Sequence, residues 1–385
     1  MRISELKLCN ESGVMRAEAR VVWEDAQKPP LTLFVETDPR FHEAFWPDPN
    51  AFLTVCLLPA WRDRERRIQV GGTLCPVLCR NMRAVISIMG RWWAELGTPP
   101  SIEPARGLKA GRPSSGRSVS LLSCGIDSLA TLRWNKLHLP PDHPSSIEAV
   151  MFLEFHKEPS QSADEFYTRV ARRLPVASRV ADDAGVDVVP VVSNIWWLVN
   201  DGYFFESHWN GAVLSGSAAF FSKRFHRAYI ASGYHAAHLH PCGSHPLIDP
   251  LYNSAHFHIE HDNVGMTRLE KTALVADWDV GLQNMRVCQS DVSGGTNCGL
   301  CEKCIRSMTT LIALGKLKEC RAFPVSDVSV DTLTLVDREY GMIKAEYDAA
   351  WYRELIAPLI KVGRGDLAAV IQGFPFIRPN GKSGT

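Results

Sequence analysis

Hydrophobic and polar residues follow different patterns in the first third of the chain and in the rest of it. In the first part, alternating or β-branched runs predict short strands, and an apolar stripe at helical spacing predicts one long helix that packs in the core. The predicted strands cover residues 15–23, 30–37, 51–58 and 66–70, and the predicted helix covers residues 76–96. We therefore predict a small β-rich domain over residues 1–110.

A segment rich in Pro, Gly and Ser follows at residues 98–117 and is typical of a linker. Its basic residues would either be solvated or reach a phosphate group. They are Arg106, Lys109, Arg112 and Arg117. The rest of the chain, residues 111–385, is predicted to form the second domain, and its residues 340–371 have a helical pattern.

The most specific chemical signal is the sequence SVSLLSCGIDSLATLRW at residues 118–134. A short apolar run at residues 119–122 predicts a buried parallel strand, and a helical pattern begins soon after it. The turn between them is Ser123-Cys124-Gly125-Ile126-Asp127-Ser128. At a helix N-terminus, the unpaired amides, the helix dipole and the two serine hydroxyls favour an anion such as phosphate, and Gly125 lets the backbone come close. The alternative is an ordinary strand-to-helix loop in which Ser and Asp cap the helix.

A second signal consists of four closely spaced cysteines. They are Cys288, Cys298, Cys301 and Cys304. Two overlapping C-x-x-C steps and one cysteine ten residues upstream supply the four thiolates of a closed tetrahedral zinc site. Gly294, Gly295 and Gly299 would allow tight turns around the ion. Two alternatives stay open, namely an iron–sulfur cluster and four unrelated buried cysteines.

Together, and in this order, the two motifs resemble the PP-loop ATP pyrophosphatases, and among them the 7-cyano-7-deazaguanine synthase family. The PP-loop is usually written S-G-G-x-D-S, and Cys124 stands here in place of the first glycine. The resemblance covers residues 118–312, and the chain is similar to a divergent member with an extra N-terminal domain. Within the resembling part we predict further elements from the pattern. They are strands at residues 149–155, 186–192 and 228–231 and helices near residues 162–184 and 210–224.

The resemblance implies a fold and a set of site residues. The fold is α/β, with a Rossmann-like parallel sheet of the PP-loop (adenine nucleotide alpha hydrolase-like) type, a four-cysteine zinc subsite and a smaller β-rich N-terminal domain. Residues 123–128 and Gly233 would bind ATP. Asp127 and Lys271 would act in catalysis beside Mg²⁺, because Lys271 matches a lysine-bearing helix that precedes the first zinc cysteine in the family. The Zn²⁺ would be structural.

The resemblance also implies an activity, which is ATP-dependent C–N bond formation. In the family, ATP activates the carboxylate of 7-carboxy-7-deazaguanine as an adenylate, ammonia gives the amide, and a second activation gives the nitrile. Larger members occur in bacterial anti-phage systems, where the resemblance implies transfer of a deazaguanine to another acceptor such as a protein amine. We therefore expect an adenylating ligase for a small carboxylic acid, with an acceptor or partner bound through the N-terminal domain.

Two other functions are compatible with the same motifs. One is a sulfur-transferring PP-loop enzyme, in which Cys124 or a cluster cysteine would take part. The other is a nucleotide-binding protein that has lost turnover and acts within a complex. The cysteine at position 124, in place of the usual glycine, is the reason to consider it. Lys271 and Arg306 are the candidate cations for the phosphates, and a solvated surface charge is the alternative for each.

The segment at residues 235–261 has an unusual composition, with seven of the thirteen histidines. They are His235, His238, His240, His245, His256, His258 and His261. A second metal site is one interpretation, but the first three lack the helical i, i+4 spacing, and prolines break the segment. We favour a polar loop that faces the substrate, with Asp249 as a further polar candidate.

Composition narrows the remaining possibilities. The chain has 385 residues, 45% of them hydrophobic, and equal numbers of basic and acidic residues, 42 each. A chain of this length and composition can bury large hydrophobic cores. Its net charge of zero does not indicate binding to nucleic acid, which is negatively charged. The N-terminus lacks the apolar core of a signal peptide, and no run is long enough to cross a membrane. The cysteines form no obvious disulfide framework, so we expect a reducing cytoplasm.

Overall fold

One large mixed sheet organises the protein. The computed structural model describes residues 1–11, 13–111, 116–156, 160–288, 297–338 and 346–377. The strands are β1 (Arg2–Glu11), β2 (Val14–Val22), β3 (Leu31–Thr37), β4 (Arg67–Val70), β5 (Ser101–Pro104), β6 (Ser118–Leu121), β7 (Ile147–Phe155), β8 (Asp187–Ser193), β9 (Arg227–Ala231) and β10 (His258–Asp262). Their order in the sheet is β10-β9-β6-β7-β8-β3-β2-β1-β4-β5.

Helices cover both halves of this sheet. They are α1 (Pro49–Arg62), α2 (Pro76–Trp92), α3 (Ile126–His138), α4 (Ala163–Ala184), α5 (Gly202–Phe204), α6 (Asn210–Ala219), α7 (Arg268–Ala276), α8 (Asp279–Asn284), α9 (Glu302–Ala313), α10 (Val330–Arg338), α11 (Glu346–Arg353), α12 (Ile356–Lys361) and α13 (Gly365–Gln372). The described residues contain no helix that is both long and apolar enough to cross a membrane.

The second half of the chain has the alternating architecture that the sequence predicts. The five strands β10, β9, β6, β7 and β8 pair in parallel, and helices follow β6, β7, β8 and β10 along the chain. The chain goes from β6 to β7 and β8 on one side, and β9 then returns to the other side of β6. The carboxyl end of β6 therefore lies at a topological switch point, which is where open α/β sheets bind ligands. The predicted α/β class with a mostly parallel sheet is confirmed.

The N-terminal strands extend this sheet. Strand β3 pairs in antiparallel fashion with β8, so that Val35 lies opposite Ser193. Buried side chains from both parts, such as Trp61 and Phe220, belong to one hydrophobic cluster. The boundary near residue 110 thus crosses a continuous sheet, and the division into two domains stays a prediction.

One predicted strand is wrong, because residues 51–58 lie in helix α1. The helix is buried along most of its length, so its sequence shows a continuous apolar run instead of a helical stripe. Its N-terminus carries the signals of a helix start, since Asp48 caps it by accepting a hydrogen bond from the Asn50 N–H and Pro49 occupies the first turn. Because the helix is buried on every side, its apolar residues do not recur at the helical spacing of about 3.6 residues, which is the signal that distinguishes a helix from a strand in a sequence.

The remaining differences concern boundaries and short elements. The predicted linker contains the edge strand β5, and Arg112 lies outside the described residues. Strand β1 had no clear alternation and was not predicted. Helix α2 ends at Trp92, and its apolar stripe is buried as expected, with Trp93 only 9% exposed. The helical pattern at residues 340–371 corresponds to α11, α12 and most of α13, and its first part, residues 340–345, lies outside the described residues.

Candidate active site

The predicted phosphate loop joins β6 to α3 at the switch point. Ser123 Oγ accepts a hydrogen bond from the Gly125 N–H at 3.2 Å and lies 3.2 Å from Ser128 Oγ. Helix α3 begins at Ile126, and its N-cap, Gly125, supplies no side chain to the first amides. Ser and Asp therefore do not act as ordinary caps at the N-cap position. The first amides of α3 therefore receive no side-chain cap from this position, and that they bind an anion stays a prediction.

Cys124 adopts the backbone conformation that the missing glycine would favour. Its φ is +59°, in the left-handed region that costs a side-chain-bearing residue about 1–2 kcal/mol. The side chain is buried in the same hydrophobic cluster as Leu129 of α3 and Cys288, and burial raises the pKa of the thiol to about 12. Cys124 therefore preserves the shape of the loop at a cost in strain, and its sulfur is held as a neutral thiol.

Asp127, in the first turn of α3, points towards two cations on helix α7. Arg268 Nη1 lies 2.9 Å from one carboxylate oxygen, and Lys271 Nζ lies 3.5 Å from the other. Lys271 also donates a hydrogen bond of 2.7 Å to the Ser232 carbonyl at the end of β9. Burial lowers the pKa of Lys271, although Asp127 opposes that shift. The structure thus brings the two predicted catalytic residues together.

Arg268 is a site residue that the sequence analysis missed. A capping box formed by Thr267 and Glu270 fixes the start of α7, and Arg268 and Lys271 are three residues apart on one face of that helix. The T-x-x-E signal directly beside Lys271 was visible in the sequence. It would have placed Arg268 on the same face of the helix as the lysine.

A cavity of about 560 Å³ opens over the loop. Five basic side chains line it, which are Arg173, Arg268, Arg286, Lys303 and Arg306. Three carboxylates line it as well, namely Asp127, Glu154 and Glu206, and Arg173 binds Glu154 at 2.6 Å. The excess of positive charge around a helix N-terminus favours a polyanion.

The same cavity has an aromatic wall formed by Phe155, Trp196 and Phe205. The ring centroid of Trp196 lies 4.7 Å from that of Phe205 and 6.3 Å from that of Phe155. Phe155 ends strand β7, whereas the other two residues follow β8 along the chain. A planar aromatic ligand would find both stacking partners and nearby carboxylates here.

A second cavity, of about 290 Å³, lies on the other side of the loop. It shares Ser123 and Asp127 with the first cavity. Apolar residues from the ends of three parallel strands form most of its wall, among them Leu121, Met151 and Ile230. Gly233, which was predicted to bind the nucleotide, lines neither cavity. Its carbonyl accepts a long hydrogen bond of 3.5 Å from Arg268.

The four predicted metal ligands converge. Their sulfur atoms all lie within 4.8 Å of one another. The Sγ of Cys301 lies 3.4 Å from that of Cys304 and 3.7 Å from that of Cys288. Zn–S bonds of about 2.3 Å in a tetrahedron place the sulfurs about 3.8 Å apart, so the cluster suits one zinc ion. In an iron–sulfur cluster the thiolates bind different irons and lie further apart, and this compact arrangement therefore disfavours that alternative.

The local backbone and hydrogen bonds favour the thiolate form and the close approach of these cysteines. Cys301 is the N-cap of α9, and hydrogen bonding with the Cys304 thiol lowers the pKa of Cys301 to about 5. Gly299 has a φ of +76° and makes the predicted tight turn. Gly294 and Gly295 lie outside the described residues. The arrangement favours a thiolate that is ready to bind a cation.

Asn297 ties the ends of the cysteine segment together and was not predicted. Its Oδ1 accepts hydrogen bonds from the N–H groups of Val287 and Cys288, at 2.8 and 3.1 Å. Its Nδ2 donates to the carbonyls of Met285 and Ala322, at 3.0 and 2.9 Å. All four bonds of a buried amide are thus satisfied, which fixes Cys288 beside the other ligands.

Arg306 is buried, and the interpretation of it as a solvated surface charge is wrong. Its side chain is 8% exposed, and its Nε lies 3.3 Å from Glu302 Oε1. Its Nη1 has no hydrogen-bond partner within the described part of the chain. A buried guanidinium nitrogen without a partner is costly, and a bound anion would satisfy it.

The histidines of residues 235–261 do not converge on one site but make separate contacts. His261 lies 2.8 Å from the buried Asp249, which also accepts a hydrogen bond from Ser244. His240 instead stacks on Tyr347 with ring centroids 3.6 Å apart. Within the described ranges, the cysteine cluster is the only group of three or more metal-binding side chains close enough to share an ion. The interpretation as a second metal site has no support there.

The chain matches no protein-family model, no curated protein and no solved structure. The arrangement of these side chains therefore carries the functional argument. It brings together the loop at the N-terminus of α3, five basic side chains, an aromatic wall and a cysteine cluster suited to a metal such as zinc.

Proposed function

We propose that this protein is an ATP-dependent ligase of the PP-loop type, similar to the 7-cyano-7-deazaguanine synthases, that adenylates a small carboxylic acid. The observation that carries the proposal is the position of Asp127, which lies in the first turn of α3 and within 3.5 Å of both Arg268 and Lys271. Such a set of groups holds a triphosphate and compensates the charge that develops when pyrophosphate leaves.

The two cavities divide the substrates between them. The base of ATP occupies the apolar cavity at the strand ends, and its phosphates cross the loop at Ser123 and Ser128. The acid occupies the larger cavity, where its ring stacks on Phe155, Trp196 and Phe205. Glu206 accepts hydrogen bonds from ring N–H groups of the kind found on a 7-deazaguanine.

The reaction follows from this arrangement. The carboxylate oxygen attacks the α-phosphorus, the bond to the β-phosphate oxygen breaks, and pyrophosphate leaves towards Arg268, Lys271 and Arg306. The amine of an acceptor then attacks the acyl carbon, and AMP leaves as the new C–N bond forms. Ammonia gives an amide and, after a second activation, a nitrile, whereas a protein amine gives a conjugate of the kind that anti-phage defence would use.

Two metal ions belong to the proposal. Asp127, with the hydroxyls of Ser123 and Ser128 close by, offers the oxygen ligands that Mg²⁺ prefers, and the ion would neutralise phosphate charge. The carboxylate is paired with two cations, so an ion that binds there competes with them. The four cysteines fit Zn²⁺ in a structural role, because all four ligand positions of the tetrahedron would be protein sulfurs.

The alternative of sulfur transfer has less support. A sulfur carrier must present a reactive thiolate, but Cys124 is 2% exposed and burial raises the pKa of its thiol to about 12. A nucleotide-binding protein without turnover remains the second candidate, because the strained Cys124 departs from the usual loop.

One assay tests the proposal. The purified protein is incubated with ATP, Mg²⁺ and a panel of carboxylic acids that includes 7-carboxy-7-deazaguanine, and AMP and pyrophosphate are measured. We expect both products in equal amounts with at least one acid, and we expect neither with the Asp127→Ala variant. ATP binding without AMP formation, with every acid and every added amine, would leave the non-catalytic alternative.

A further inference from the structure

Helix α11 contacts two of the basic side chains of the cavity, although it lies outside the part of the chain that resembles the synthases. The indole of Trp351 packs on the guanidinium of Arg306, whose Cζ lies 3.9 Å from the ring centroid. Arg268 Cζ lies 5.6 Å from the same indole. One aromatic ring thus contacts two of the cations that line the cavity.

Contacts of Trp351 and of the next residue, Tyr352, fix the position of this part of α11. Tyr234, which follows β9, stacks on the indole with a centroid separation of 5.1 Å and an interplanar angle of 15°. The next residue, Tyr352, is buried and donates a hydrogen bond of 2.9 Å to Glu302 Oε1. That oxygen is also the partner of Arg306 Nε. Helix α11 therefore acts on Arg306 through its guanidinium plane and through its carboxylate partner.

The contacts with Trp351 and Glu302 leave the Nη1 atom of Arg306 for a ligand. Its plane faces Trp351 and its Nε faces Glu302, whereas the buried Nη1 has no partner in the described part of the chain. We infer that Trp351 is a positioning residue that orients Arg306, and with it Arg268, towards the departing pyrophosphate. The inference rests on the proposed function in one respect, namely that the cavity binds phosphate groups.

The test uses inorganic pyrophosphate as the probe and isothermal titration calorimetry of the full chain. A cation–π contact with a desolvated guanidinium is strong enough for its loss to weaken binding about three- to tenfold. We expect that loss for Trp351→Leu, and a smaller loss for Trp351→Phe, which keeps an aromatic ring. Trp134→Leu is the matched control, because Trp134 is exposed on α3 and, within the described part of the chain, its ring stacks on that of His138 away from the cavity.

A double-mutant cycle separates positioning from general stabilisation. In the Arg306→Ala background, Trp351→Leu should weaken binding less than it does in the wild-type background, because only the more distant contact with Arg268 is left to lose. An equal loss in both backgrounds, or wild-type affinity in a folded Trp351→Leu variant, overturns the inference and leaves the proposed function intact. A wild-type protein that binds neither pyrophosphate nor ATP overturns both. If Trp351→Leu fails to fold, the same cycle with Trp351→Phe decides.

Discussion

The backbone N–H of Arg286 donates a hydrogen bond of 2.7 Å to the carbonyl of Cys124. This bond joins the phosphate loop to the segment that leads into the cysteine cluster, and three basic side chains of the cavity flank the cysteines in sequence. They are Arg286, Lys303 and Arg306. The cysteine cluster therefore lies next to the loop at residues 123–128 and to the basic side chains of the cavity, and we expect it to influence the binding of an anion there.

Loss of the metal should weaken anion binding. Cys301→Ser removes one thiolate, so we expect less bound zinc, a lower folded yield and at least tenfold weaker pyrophosphate binding. Metal analysis of the purified variant and calorimetry measure these effects. Cys320→Ser is the control, because the buried Cys320 donates to the Leu282 carbonyl outside the cluster. A variant that loses zinc but binds pyrophosphate normally would show that the cluster and the loop are independent.

Asp127→Asn should have opposite effects on binding and on turnover. The substitution removes a negative charge beside Arg268 and Lys271, so pyrophosphate should bind more tightly in the absence of Mg²⁺. AMP formation with Mg²⁺ and ATP should fall at least 100-fold, because the amide is a poor ligand for the ion. Asp182→Asn, on the exposed face of α4, controls for the loss of one charge. Unchanged turnover would remove Asp127 from the mechanism.

Substitutions of Cys124 should reverse the usual order of alanine and glycine. Cys124→Ala keeps the left-handed backbone strain, whereas Cys124→Gly relieves about 1–2 kcal/mol of it and loses less than that in chain entropy. We expect the glycine variant to have the higher free energy of unfolding, by about 1 kcal/mol, in urea denaturation. The same pair at Cys56, inside helix α1, should favour alanine by about 1 kcal/mol. The same order at both positions would contradict the strain argument.

Acidification should destabilise the protein partly through His208. This imidazole stacks on Phe204 at 4.9 Å, and burial lowers its pKa, although Glu95 opposes the shift. As the pH falls, His208 is protonated at a higher pH in the unfolded chain than in the folded protein. Its contribution to the free energy of unfolding is therefore constant above about pH 6.5 and decreases as the pH falls from there to the pKa of the folded state. His208→Phe keeps the stacking and should show a smaller loss of unfolding free energy between pH 7.5 and 5.5.

Urea denaturation at several pH values measures this effect. The exposed His42 supplies the control variant, His42→Gln, which should keep the wild-type pH dependence. An equal loss in wild type and His208→Phe would show that other groups carry the acid sensitivity.

Local patterns were sufficient for much of the site. The loop at residues 123–128 and the four cysteines are contiguous motifs, and their spacing alone indicated the chemistry that each could support. Lys271 was identified through the family resemblance, whereas Arg268 was missed, because the T-x-x-E signal beside it marks the start of a helix and does not indicate the partner carboxylate. Asp127 is that partner, 141 residues away along the chain.

The sequence by itself determined the α/β class, the switch from strand to helix around Gly125 and the cysteine ligand set, because each depends on periodicity or short spacing. Only the tertiary structure decided that β3 joins β8, that residues 51–58 are helical, and that Trp351 packs on Arg306. These features depend on contacts between residues far apart in the chain, and they are selected by burial and charge pairing in three dimensions, which no local pattern records.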